Sequence, residues 1–198
     1  MRLIARFSAF LAAVVFIGAS AIATAEAAII PVGSDLQAEA AGATGSGAVL
    51  VEYDDVEHTL RIFANWTGLT GTTTIAHIHC CTSLPEVGTA GVAVTPGTLP
   101  GFPTGVTAGT YVSPLIDLDI AESFTSSFVS TFGGGTVAGA LNALLLGMDS
   151  GTAYFNIHTT ALPAGEIRGF LHRVPEPSSW TLLLLGLVAM AGVRRRRG

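Results

Sequence analysis

The sequence predicts a mainly β protein: a single antiparallel β-sandwich or Greek-key barrel-like domain with a helical insertion, flanked by a signal peptide and a C-terminal membrane helix. Three observations carry this expectation. Short runs with β-type alternation are separated throughout by glycine and proline, 24 and 9 of the 198 residues, as expected of strands joined by turns. Two adjoining stretches have helical spacing instead. Both termini are apolar runs edged by arginine.

The first element is the leader, residues 1–28. Arg2 and Arg6 precede the apolar run 7–23, and small-residue cleavage sites follow at Ala23-Thr24-Ala25 or Ala25-Glu26-Ala27. In the body, 48–53 and 59–66 flank an acidic turn, Asp54-Asp55-Val56-Glu57-His58. Leu60, Ile62, Ala64 and Trp66 share one face of the second run, opposite Arg61 and Asn65. Further strands are expected at 73–79 and 110–118, with a long glycine- and proline-rich loop at 88–109 between them. The helical stretches are 121–132, with Phe124, Phe128 and Phe132 four apart, and 137–148, with Leu141, Leu144, Leu145 and Met148 on one stripe. These stripes read as core-facing surfaces. A late strand pair, 153–159 and 166–172, is joined by Thr160-Ala161-Leu162-Pro163-Ala164-Gly165.

The tail carries Pro175-Glu176-Pro177, an apolar stretch to Val193, and then Arg194, Arg195, Arg196 and Arg197. A helix over 178–193 would be about 24 Å long, at the short edge for a hydrocarbon core of about 30 Å, with Trp180 and snorkelling arginine extending its reach. Arginine at both ends belongs on the cytoplasmic side, which leaves the body outside. Between residues 29 and 174 there are three arginines against twelve acids, a charge of about −9 with histidine neutral. So acidic a body repels phosphate backbones, and nucleic acid is not an expected partner. The absence of lysine excludes Schiff-base chemistry and a P-loop.

The order of the tail, with Pro175, Glu176 and Pro177, a short apolar helix and a terminal arginine run, resembles the PEP-CTERM sorting signal of Gram-negative bacteria, here over residues 174–198. The resemblance implies an exosortase as partner. It also implies anchoring in the inner membrane with a periplasmic body, and then release or transfer to the cell surface or medium. The host it implies makes extracellular polysaccharide. In the body, Ala76-His77-Ile78-His79, the run from Ala153 to Thr159 with Asn156 and His158, and Gly165-Glu166-Ile167-Arg168-Gly169 resemble the CHRD domain, expected over 34–172. That family has no established enzymatic activity, so the resemblance implies a non-enzyme. Cys80-Cys81 stands where many members have glycine.

Strand alternation places His77 with His79, Asn156 with His158, and Glu166 with Arg168. Three readings follow. In the first, adopted as the expectation, Asn156, His158, Glu166 and Arg168 form a structural hydrogen-bonded network in which Glu166 pairs with Arg168 or a histidine, and no cofactor is bound. In the second, His77, His79 and His158 bind Cu or Zn through imidazole, and thiols could join. A hydrolase is the third, but no G-x-S-x-G, H-E-x-x-H or carboxylate pair supports it. Cys80 and Cys81, in an exported chain, are expected as a vicinal disulfide, with free buried thiols or intermolecular bridges as alternatives. The expected function is an exported structural or binding protein of the cell envelope or polysaccharide matrix, meeting exopolysaccharide or other matrix components. The alternative is a metal-binding exported protein.

Overall fold

A computed structural model describes residues 28–175. The expected leader, apart from its last residue, and the expected membrane helix over 178–193 lie outside the described residues. Among the described residues no helix is long and apolar enough to cross a membrane.

Ten strands form one antiparallel sheet: β1 (Ile29–Ala38), β2 (Ser46–Asp54), β3 (Thr59–Thr67), β4 (Thr73–His79), β5 (Val92–Val94), β6 (Gly109–Val112), β7 (Ile116–Asp117), β8 (Tyr154–Thr159), β9 (Ile167–Phe170) and β10 (His172–Arg173). The order across the sheet is β5-β4-β8-β9-β1-β2-β3-β6, with β10 on β1 and β7 on β3. The expectation of a sandwich or barrel is thereby refined to a curled sheet, a half-barrel. Long β1 pairs with β2 along its length, while only its last residues, Gln37 and Ala38, pair with β9. It therefore belongs to both halves of the sheet, and both halves feed one core.

The alternation read in β3 holds: Leu60, Ile62, Ala64 and Trp66 are buried, Arg61 and Asn65 exposed. In the acidic turn, the Asp54 carboxylate accepts the N–H groups of Val56 and Glu57, each at 2.9 Å. Those bonds hold its carboxyl below the usual range. The run 110–118 is broken at Ser113-Pro114-Leu115 into β6 and β7, because proline removes a ladder donor.

The helical insertion is present as a short 3-10 turn (Ala121–Ser123), α1 (Ser126–Thr131) and α2 (Val137–Asp149). Thr125 caps α1 by accepting Phe128 N–H at 3.3 Å, and Thr136 caps α2 by accepting Gly139 N–H at 3.0 Å. Leu141, Leu144 and Met148 of α2 are buried as expected. Phe132 is not. It lies one residue past the end of α1, 44 % exposed, whereas Phe124 and Phe128 are in the core.

The long loop contains the unexpected β5 and then closes the open seam of the sheet. Leu99 N–H bonds Ala76 O at 3.1 Å, and Gly105 N–H bonds Thr73 O at 2.8 Å, both on β4. Thr107 O accepts Leu69 N–H at 3.1 Å before the chain enters β6. This segment buries the outer, polar face of β4, so that every residue of neighbouring β8 is buried as well.

Candidate metal centre

Strands β4 and β8 pair in a register that sets His77 opposite Asn156, Ile75 opposite His158 and His79 opposite Tyr154. Residues paired across a ladder share a face, so His77, His79, Tyr154, Asn156 and His158 all project from one side. Ala76, Ile78, Phe155 and Ile157 project from the other side into the hydrophobic core. The polar side is buried too: His77 is 4 % exposed, His79 and His158 each 8 %.

One nitrogen from each of the three histidines falls within 4.8 Å of the other two. The outward nitrogens all meet main-chain oxygen. His79 Nδ1 is 2.9 Å from Ala90 O, His158 Nδ1 is 2.8 Å from Pro163 O, and His77 Nε2 meets Gly97 O. A carbonyl can only accept, so each of those nitrogens carries the hydrogen. In the neutral rings this leaves a bare lone pair on His77 Nδ1, His79 Nε2 and His158 Nε2. These are inward nitrogens. His77 Nδ1 and His158 Nε2 face each other at 3.2 Å, and His79 Nε2 is buried without any hydrogen-bond partner.

Two lone pairs at that distance repel unless a cation lies between them. A proton is a poor candidate, because burial lowers the His77 pKa, against the Gly97 carbonyl, and takes that of His79 down to about 4. A metal ion is a good one. Imidazole nitrogens at 2.0–2.1 Å from a tetrahedral ion are about 3.3 Å apart, close to the His77–His158 separation. Carbonyls on the far nitrogens are the usual outer shell of metal-bound histidine.

Around the triad the structure corrects the expected network. Glu166 pairs neither with Arg168 nor with a histidine. Strand β9 begins at Ile167, so Glu166 precedes the alternation that would have aligned it with Arg168. Its carboxylate is fully buried at the other end of β8, where Oε1 accepts Thr70 N–H and Oε2 accepts Gly71 N–H at 3.2 Å and the Thr159 hydroxyl at 2.6 Å. Burial would raise its pKa, but those donors prevail and hold it low.

Arg168 pairs instead with Glu39, a residue the sequence reading did not single out. The guanidinium donates to Glu39 Oε1 at 3.3 Å and Gly88 O at 2.8 Å, and stacks 5.2 Å from the Tyr154 ring centre. Asn156 donates through Nδ2 to Glu39 Oε2. Burial raises the Glu39 pKa, with Arg168, Asn156 and His158 opposing it. Gly165 makes this approach feasible, since any Cβ there would collide with Glu39 and Asn156.

Cys80 and Cys81 are bonded to each other. They do not join the histidines. Next after His79, Cys80 projects to the other side of the strand. Its Sγ and that of Cys81 lie 4.0 and 3.7 Å from Ala143 O of α2. Of the sorting residues, Pro175 is the last described and is exposed, while Glu176, Pro177, Arg194, Arg195, Arg196 and Arg197 lie outside the described residues.

A family model of the CHRD domain matches residues 32–171, and a model of the PEP-CTERM protein-sorting motif matches residues 173–197. No curated protein and no solved structure matches the chain.

Proposed function

Since the chain belongs to the CHRD-domain family and ends in a PEP-CTERM motif, which marks it for exosortase-dependent export, we propose that it is a metal-binding, non-enzymatic protein of the cell envelope or its matrix. Its body holds Zn or Cu through His77 Nδ1, His79 Nε2 and His158 Nε2. One observation carries the metal reading: three inward ring nitrogens share a buried space, their hydrogens drawn outward by main-chain carbonyls. A purely structural histidine network would use the inward nitrogens as donors or acceptors, yet His79 Nε2 has no partner. The matrix role draws on the sorting motif and on the acidic body, which suits a hydrated extracellular setting.

The test is thermal melting of the purified protein with chelator and with each metal, for wild type and His79→Gln. Bound only by the folded state, a metal raises the melting temperature by mass action, by about 2.7 kcal/mol of stability at a hundredfold excess over Kd. The rise should vanish in His79→Gln. Equal wild-type melts with chelator and with metal would defeat the reading.

A further inference from the structure

Three histidines leave a Zn or Cu ion one ligand short of a tetrahedron. Nothing among the described residues completes it with a histidine, cysteine or carboxylate, as only His77, His79 and His158 gather. The two sulfurs pack against α2 on the other side of β4. The Tyr154 hydroxyl is engaged with the Ala90 main chain, and the Glu39 carboxylate with Arg168 and Asn156.

A second orphan lies on the same face. Asn156, 1 % exposed, stands in register between His77 on β4 and Arg168 on β9, and two residues from His158. Its Nδ2 is taken by Glu39, which fixes the amide the right way round, yet Oδ1 is buried with no donor. Leaving a buried acceptor unsatisfied is costly, so such an atom calls for a donor that belongs to the site. Water on a metal ion is a strong donor. The rings are closely covered, because the loop that supplies Ala90 O and Gly97 O lies over them and leaves them at most 8 % exposed, which excludes a bulky ligand.

We propose that the fourth position of this centre is open and exchangeable, held at rest by a water that donates to Asn156 Oδ1, and that it takes small anions of two or three atoms. The proposal rests on the three-histidine reading above. It adds a ligand site to what would otherwise be a closed structural ion.

Azide and Co(II) are the probes. The metal-free protein is loaded with Co(II), whose visible spectrum reports coordination, and titrated with azide for wild type, Asn156→Leu and Asn156→Ala. Azide should shift the wild-type spectrum saturably. It should bind the two variants about fivefold more tightly, because the water it displaces has lost one hydrogen bond and azide has no hydrogen to give Asn156. A wild-type spectrum indifferent to azide would overturn the open position, and that titration needs no variant to fold. Equal affinity in all three proteins would overturn the role of Asn156. Failure to take up Co(II) at all would remove the three-histidine reading and this one with it, and is told apart by the absence of any visible band.

Discussion

Replacing Glu166 by Gln tests the anchor that holds β4 beside β8. In the wild type one buried carboxylate serves three donors: the N–H of Thr70, the N–H of Gly71 and the hydroxyl of Thr159. Glutamine keeps one oxygen. If that oxygen faces Thr70, the new amide group occupies the place of Oε2, between Gly71 N–H and Thr159 Oγ1. The Thr159 hydroxyl can rotate and accept from the amide, but Gly71 N–H then faces another donor. An unsatisfied buried N–H costs about 1–3 kcal/mol, and each of the two surviving bonds falls from charge-assisted to neutral, about 1 kcal/mol apiece. The loss should total about 3–5 kcal/mol. Urea unfolding at pH 7 would show it as a lower midpoint with unchanged slope. A loss under about 1 kcal/mol would refute the reasoning, since it would mean that the carboxylate is not carrying those donors. The same variant should weaken metal binding, because His77 and His79 ride on the strand that Thr70 and Gly71 lead into.

Other outcomes follow from single contacts. Gly147→Ala should destabilise by about 1–2 kcal/mol although alanine is the better helix former, because its Cβ would overlap Cys80 Sγ. A stabilised variant, read by thermal melting, would contradict that packing. In chelated protein, His77 and His79 resist protons that the unfolded chain takes up below about pH 6.5. The stability they contribute is therefore complete above that pH and declines as pH falls, for His79 until about pH 4, by about 1.4 kcal/mol per unit for each group while only the unfolded chain is protonated. Urea midpoints between pH 7 and 5 should fall more steeply for wild type than for His79→Gln, and parallel curves would count against buried neutral rings. Intact-mass spectrometry of the protein exported by its host should show Trp180 to Gly198 removed; recovery of the whole tail on all molecules would leave only a membrane anchor.

The strands legible in the sequence are those with one apolar and one polar face. In β3, Leu60 to Trp66 alternate cleanly, and His77 and His79 announce a shared face on β4. Strand β1 was not among the expected strands: Pro31, Gly33, Ser34 and Asp35 are poor strand formers that interrupt its alternation, and its place comes from pairing with β2, β9 and β10. Strand β5 is three residues long amid glycine and proline. Spacing put His77 with His79 and named His158 as a candidate third ligand, but the β4–β8 pairing that joins them was not readable, nor was the proton arrangement, which depends on the carbonyls of Ala90, Gly97 and Pro163. Main-chain oxygens have no sequence signature. Glu39 was invisible for a related reason: it meets Asn156 and Arg168 from 117 and 129 positions away. Glu166 misled because parity was counted across the point where β9 begins.

The loop seals the sheet partly with side chains, Leu99 and Phe102 in the core and Thr98 on Ala76 N–H, but it steers the histidine hydrogens with peptide groups alone. Two of its carbonyls, at Ala90 and Gly97, fix which nitrogen of His79 and of His77 is free. A side-chain replacement in this loop cannot delete a carbonyl, so the chemistry of the rings is insulated from most point mutations there. The outer surface of the loop is correspondingly free to vary. Descendants of one ancestral domain could redecorate it for different surroundings while passing on the same buried centre, and a designer could randomise those side chains on the same terms.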